Sequence, residues 1–236
     1  MLTNFFDYCV KTVQLTLGSN CSLCGTASQG ALVCGPCQAD LPEHRGNACR
    51  ICAVPLPSGE VCGRCLKQPP AFDHTLAAFV YGFPVDRLIQ SLKYGHNLPL
   101  AEFFGDGIAN SVKALPLPDL LIPMPLHQSR LRERGFNQAI EIGRSVSRKT
   151  GLPLVTGWCA RIRETGPQAQ LNLQERVKNI RNAFVCGEGL TGLKVAIIDD
   201  VMTSGATLNE LAGVLRASGA ASVSAWVAAR ALPPGN

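Results

Sequence analysis

Eight of the eleven cysteines fall into four CxxC pairs, Cys21/Cys24, Cys34/Cys37, Cys49/Cys52 and Cys62/Cys65, and the pattern repeats after 28 residues. Nine residues separate the two pairs in each half. A CxxC turn aims two thiolates at one Zn²⁺ about 2.3 Å away, and two such turns complete a tetrahedral site. Nine intervening residues suffice for a short hairpin, so the spacing predicts two tandem Cys₄ ribbons rather than one interleaved brace. Both sites read as structural, because all four ligands come from the protein and none is left for water. A redox CxxC explains one pair but not four in register. Iron–sulfur ligation by the same cysteines is the lesser alternative.

No apolar run approaches the roughly 20 residues that a membrane helix needs. The first residues lack a basic leader, and Asp7 and Lys11 interrupt the apolar stretch, unlike a signal peptide. The expectation is therefore a cytoplasmic chain without membrane insertion and without a disulfide framework. The remaining cysteines, Cys9, Cys159 and Cys186, then read as buried free thiols.

Three regions emerge. Residues 1–19 carry Leu2, Phe5, Phe6, Cys9, Val10 and Val13 at helical spacing, an amphipathic helix. The double ribbon occupies 20–68, and the Lys67-Gln68-Pro69-Pro70 linker marks the boundary to a domain over 69–236. There, strand-like segments (Thr75–Tyr81, Leu120–Met124, Val195–Ile198, Val223–Val227) alternate with helical ones (Val85–Lys93, Asn137–Thr150, Thr207–Ala217). That alternation predicts an α/β domain, its mainly parallel sheet flanked by helices.

The most informative stretch runs from Val195 to Thr207: an apolar strand, then Asp199-Asp200, then Thr203-Ser204-Gly205-Ala206-Thr207 opening a helix. Ligands in open α/β sheets bind at the carboxyl ends of strands. The loop can offer backbone N–H groups and hydroxyls to a phosphate at a helix N-terminus, with Gly205 permitting close approach. Carboxylates repel phosphate, so Asp199 and Asp200 are expected to take a ribose diol and Mg²⁺.

These residues resemble the signature of type I phosphoribosyltransferases, which bind 5-phosphoribosyl-1-pyrophosphate (PRPP). Leu121–His127, Arg130–Gln138, Arg163–Gln168 and Ala183-Phe184, preceded by the four CxxC pairs, are similar to the ComF/GntX type of that fold. The resemblance implies a type I phosphoribosyltransferase-like domain behind a small Cys₄ double zinc ribbon. It implies that Asp199 and Asp200 contact the ribose hydroxyls while Thr203–Thr207 cradle the 5-phosphate. It also implies a role in DNA uptake during competence, alongside other DNA-uptake proteins. Arginine forks match phosphate oxygens, so Arg134 is expected at a pyrophosphate. By resemblance to the flexible loop of phosphoribosyltransferases, the polar segment 163–181, with Arg163, is expected to close over the ligand and assist catalysis by excluding water. Arg144, Arg148 and Arg181 read instead as solvated charges. Any hood over the site is expected from residues 71–105 or from the ribbons.

The formal charge is +5. Eight zinc-bound thiolates and two Zn²⁺ bring it to +1, so the chain is not basic overall. The cations are concentrated: residues 127–181 hold eleven Lys and Arg against four Glu. A polyanion is thus expected at the mouth of the phosphoribosyl site, with Arg130, Arg132, Arg134, Arg163 and Arg176 as contacts to single-stranded DNA. Three functions fit: a competence protein binding PRPP or a nucleotide-like ligand together with DNA, a phosphoribosyltransferase with an unidentified acceptor, and a PRPP-sensing regulator without turnover.

Overall fold

The computed structural model describes residues 20–113, 115–164 and 179–233. The amphipathic helix and Cys9, Arg176 and most of the 163–181 segment lie outside them.

The 28-residue sequence repeat becomes a structural repeat. Single bridges join Asn20 to Ala27 and Ala48 to Pro55. Two five-residue helices follow at equivalent places, α1 (Gly35–Ala39) and α2 (Gly63–Lys67), each starting just after a ligand cysteine. The sulfurs form two four-membered groups, Cys21/Cys24/Cys34/Cys37 and Cys49/Cys52/Cys62/Cys65. A tetrahedron with 2.3 Å bonds has edges of about 3.8 Å. The Cys24–Cys34 and Cys52–Cys62 separations are 3.7 and 3.6 Å, so both donor sets fit Zn²⁺. Burial opposes ionisation of Cys21 and Cys49, yet backbone N–H donors lower them to about 6 and about 7. Each group thus has at least one sulfur disposed toward the thiolate, and in the first group Thr26 also lowers Cys24.

Four strands form one parallel sheet: β1 (His74–Val80), β2 (Leu120–Pro123), a strand over Lys194–Met202 and a last one over Ser222–Arg230. A short antiparallel pair, β3 (Cys159–Arg161) and β4 (Phe184–Cys186), stands apart, so the long strands are β5 and β6. The order is β1-β6-β5-β2. Helices α3 (Val85–Tyr94), α4 (Pro99–Val112), α5 (Gln128–Arg134), α6 (Gln138–Thr150) and α7 (Ala206–Ala217) connect them.

Side chains alternate across a strand, and both faces of this sheet are covered. Val195, Ile197, Val223, Ala225 and Val227 pack against Leu208, Leu211 and Leu215 of α7, together with Cys49, Cys52 and Cys65. Ala196, Ile198, Trp226 and Ala228 pack with α3, α4 and α6, together with Cys21, Val33 and Leu41. The two ribbons therefore sit on opposite faces of one sheet. After β2 the chain turns to the α6 face and after β5 to the α7 face. The neighbouring strands β2 and β5 thus part at their carboxyl ends, where such sheets hold ligands.

Four details depart from the sequence expectation. β5 does not stop before the acidic pair but carries it, pairing Asp199 with Val227 and continuing to Met202. The basic stretch after β2, not among the expected helices, is helix α5, closed by Gly135 at φ +76°. Helix α4 was hidden by Gly105 and Gly107; a Cβ on Gly105 would lie 2.4 Å from that of Ser145, so glycine lets α4 and α6 touch. Cys159 and Cys186 are not free thiols but form a disulfide, because antiparallel β3–β4 pairing sets them directly opposite.

Candidate functional site

Where β2 and β5 part there is a cavity of about 400 Å³. Its floor is Asp199 and Asp200, and its walls come from α3 (Lys93, Tyr94), the β2–α5 turn (Met124 to His127), α5 and α6 (Arg130, Arg134, Asn137, Gln138) and the β3 hairpin (Arg161, Glu164). Asp199 and Thr207 also border a smaller cavity of about 60 Å³ enclosed by Val201 to Leu208. The loop expected to hold phosphate and the acidic pair expected to hold a ribose are therefore adjacent spaces.

The loop is built for close backbone approach. Gly205 takes φ +81° and begins α7 as its N-cap. A Cβ there would stand 2.7 Å from Met202 Cε. Ser204 Oγ accepts the Ala206 N–H at 3.3 Å.

Strand alternation sends the two carboxylates opposite ways. Asp200 faces α3, where Lys93 Nζ lies 2.9 Å from its Oδ2. Burial alone would lower the Lys93 ammonium, but the Asp200 carboxylate raises it above its ordinary value. Asp199 faces the loop, with its Oδ1 accepting the Asp200 N–H at 2.8 Å. Burial, helped by the Asp200 charge, pushes Asp199 up to about 7, against the pull of Lys93 and Arg161. Two adjacent carboxylates in poor contact with water resist double ionisation, and the cost falls on Asp199.

Cations ring this pair. Arg134 donates from Nη1 to Gln138 Oε1 at 3.2 Å and lies over the Tyr94 ring, 5.2 Å from its centroid. Arg134 Nε and Gln138 Nε2 are buried donors without a hydrogen-bond partner among the described residues. A chain of polar contacts crosses the rim: His127 Nδ1 to Ser129 Oγ at 2.8 Å, and Ser129 Oγ donating to Glu164 at 2.7 Å.

Of the residues expected from sequence, Asp199, Asp200, Arg130, Arg134 and Thr207 line the main cavity, while Thr203, Ser204, Gly205 and Ala206 line the smaller one. Arg130 is held by Glu133 at 2.7 Å. Arg132 borders a neighbouring groove instead. Arg163, expected in catalysis, lies beyond the end of β3, donates to the Arg181 carbonyl, and lines none of these cavities. Arg161, two residues earlier and still on the strand, takes the place by the pocket. Lys93, Tyr94, Arg161, His127 and Glu164 escaped sequence reasoning. Lys93 alone left a trace, as a charge directly beside buried Leu92 on an amphipathic helix.

Comparison with known proteins matches the two ribbons. The model of the double zinc ribbon domain matches residues 12–66. Competence protein F of Haemophilus influenzae is 29% identical over 98% of this chain and all of its own length. The DNA utilization protein YhgH of Salmonella typhi is 31% identical over 72% of this chain and 77% of its own. Among solved structures, the glutamine PRPP amidotransferase from B. subtilis superposes with a TM-score of 0.38 at 20% identity, over 54% of this chain and 25% of that one. The adenine phosphoribosyltransferase from Leishmania tarentolae gives 0.36 at 16% identity, over 56% and 58%. With YhgH and Competence protein F as relatives over most of its length, the chain belongs to the ComF family of double-zinc-ribbon proteins.

Proposed function

We propose that this protein handles incoming DNA: it binds PRPP or a related phosphoribosyl ligand, with Mg²⁺, in the cavity below β2 and β5, and single-stranded DNA across the basic mouth. The observation that carries the reading is the pairing of opposite surfaces in one space. A carboxylate pair accepts ribose hydroxyls, and the adjoining Thr203–Thr207 loop presents its backbone to a phosphate. Lys93, Arg134 and Arg161 face the place where a pyrophosphate extends. The unpartnered Arg134 Nε and Gln138 Nε2 are donors awaiting acceptors, as an anion site requires. Bound Mg²⁺ supplies neutralising charge to the pyrophosphate, and the residues that would hold it are the carboxylates of the same floor.

DNA is assigned to the mouth because Arg130 and Arg134 line it and Arg132 borders the groove beside it, and because relatives carry the names DNA utilization protein and Competence protein. Stacking contributes little, since aromatic residues are only 6% of the chain. Binding is thus expected to be salt-sensitive: three arginine–phosphate contacts give a log–log salt slope of about −2 for single strands.

Calorimetry with PRPP and Mg²⁺, and anisotropy with single-stranded oligonucleotides at two salt concentrations, test both halves. The wild type is expected to bind PRPP, and Asp199→Ala/Asp200→Ala to lose it while staying folded. Equal affinity in the double variant refutes the ribose assignment. Salt-independent DNA binding, or none, refutes the mouth. Pyrophosphate release across bases, amines and DNA 5′ ends tells a transferase from a carrier or a sensor.

A further inference from the structure

Arg230 closes β6 and is 1% exposed. No carboxylate pairs with it among the described residues. Its guanidinium donates instead to carbonyls from two distant parts of the chain. Nε reaches Cys52 O at 2.7 Å, and Nη1 reaches Met202 O at 3.0 Å, Thr203 O at 2.6 Å and Ala231 O. One of these carbonyls belongs to a ligand of the second Cys₄ group, and two belong to the start of the phosphate loop. A buried cation is costly unless charge of the opposite sign lies near it. Four thiolates around one Zn²⁺ carry a net charge of −2, and three of those four sulfur-bearing residues are buried in the same core cluster as Met202.

A second strut runs in parallel. Thr75 Oγ1 donates to Ile51 O at 2.7 Å and touches Met202 Sδ at 3.7 Å, while Thr75 N–H donates to Arg50 O. The Cys49–Cys52 knuckle is thereby fastened to β1 and β6 at the point where Met202 packs beneath Gly205. The first ribbon is tied down elsewhere. His44 N–H donates to Ala78 O and Val80 N–H to Pro42 O along the edge of β1, His44 Nε2 meets Ala53 O at 2.7 Å, and Cys21, Val33 and Leu41 pack on the other face of the sheet.

We propose that Arg230 is a positioning residue that couples the second zinc centre to the phosphate loop, so that zinc at Cys49/Cys52/Cys62/Cys65 sets the grip of Thr203–Thr207 while zinc at the first centre does not. The metal fixes the Cys52 carbonyl and supplies the counter-charge. Arg230 transmits both to Thr203, whose carbonyl orients the turn that aims the loop amides. The idea rests on reading that loop as the phosphate site, but its structural half can be measured without any ligand.

The test uses the full zinc-loaded chain and four variants: Arg230→Met, Arg230→Lys, Cys62→Ser and Cys34→Ser. Zinc content, far-UV circular dichroism, hydrogen exchange of the amides at 201–207 and PRPP calorimetry are read for each. Arg230→Met is expected to keep both zincs and its secondary structure, yet to exchange the loop amides at least about tenfold faster, the effect of losing charge-assisted hydrogen bonds. Arg230→Lys retains the cation with fewer donors and is expected to fall between, which settles the matter should the methionine variant not fold. Cys62→Ser is expected to loosen the loop and Cys34→Ser to leave it as in the wild type. PRPP affinity follows the same order. Unchanged loop exchange in Arg230→Met, or equal loosening by Cys34→Ser and Cys62→Ser, overturns the proposal. A wild type that ignores PRPP overturns the ligand assignment instead, while the exchange comparison still decides the coupling.

Discussion

Replacing Asp199 with Asn should make the protein more stable above neutral pH, although it removes a group at the centre of the proposed site. In the fold, burial and the neighbouring Asp200 charge hold Asp199 at about 7. In the unfolded chain it returns to about 3.9. Between those values the folded state keeps a proton that the unfolded state has released, so stability falls as pH rises. Below about 4 both states are protonated and nothing is lost. Above about 7 both are ionised and the loss is complete. Three pH units at 1.36 kcal/mol each amount to a penalty on the order of 4 kcal/mol at pH 8. Asn carries no such penalty, and its side-chain oxygen can still accept the Asp200 N–H that Asp199 Oδ1 accepts at 2.8 Å. Thermal unfolding of the two proteins at half-unit steps from pH 4 to 8 measures the difference, in which the shared pH dependence of zinc binding cancels. At this chain length the variant should melt roughly 10 °C higher at pH 8 and together with the wild type near pH 4. A variant less stable at pH 8, or a gap that does not change with pH, refutes the burial argument.

Three other outcomes follow from the same geometry. Lys93→Met strips the mostly buried Asp200 of its partner and should cost about 3 kcal/mol at pH 8; urea unfolding of this variant, of Asp200→Asn and of the double variant should return most of that as a coupling term, and additivity would show the pair to be inert. Gly205→Ala forces a side chain into φ +81° with its Cβ against Met202 Cε; a loss of about 1–2 kcal/mol and weaker PRPP binding are expected, and an unchanged protein would mean that the loop relaxes freely. Removing the Cys159–Cys186 disulfide by double alanine substitution frees a 27-residue separation and should lower stability by about 3 kcal/mol in chemical unfolding; no change under oxidising conditions would show that the bond does not form in solution.

What could be read in the chain before folding was whatever is local. Zinc ligands sit three residues apart because one turn of backbone brings two thiolates together, so CxxC declares itself. The strand, acidic pair and glycine loop from Val195 to Thr207 are contiguous, and their order is their function. The missed groups owe their roles to distance. Lys93 meets Asp200 from a helix far earlier in the chain, and its helix advertised only the apolar face of Val85, Leu88, Ile89 and Leu92. Arg161 and Arg163 look alike in sequence, but only Arg161 is held in place by a strand partner, Phe184. Cys159 and Cys186 find one another only because two three-residue strands pair in one register.

The sharpest limit on sequence reading concerns the ribbons themselves. By spacing they are copies, each with the same bridge, the same short helix and the same four sulfurs. Nothing in a CxxC pattern distinguishes Cys24 from Cys52. The fold does, because a parallel sheet has two faces and the ribbons take one each. On the α3 face the first ribbon meets the side of β1, among Phe79, Leu88 and Phe104. On the α7 face the second reaches the carboxyl ends of β5 and β6, where Arg230 links its Cys52 carbonyl to Thr203. Two equivalent motifs therefore have unequal consequences. Which of them bears on the proposed phosphate loop is decided by which face of the sheet each one packs on, a property that no segment of the sequence contains by itself.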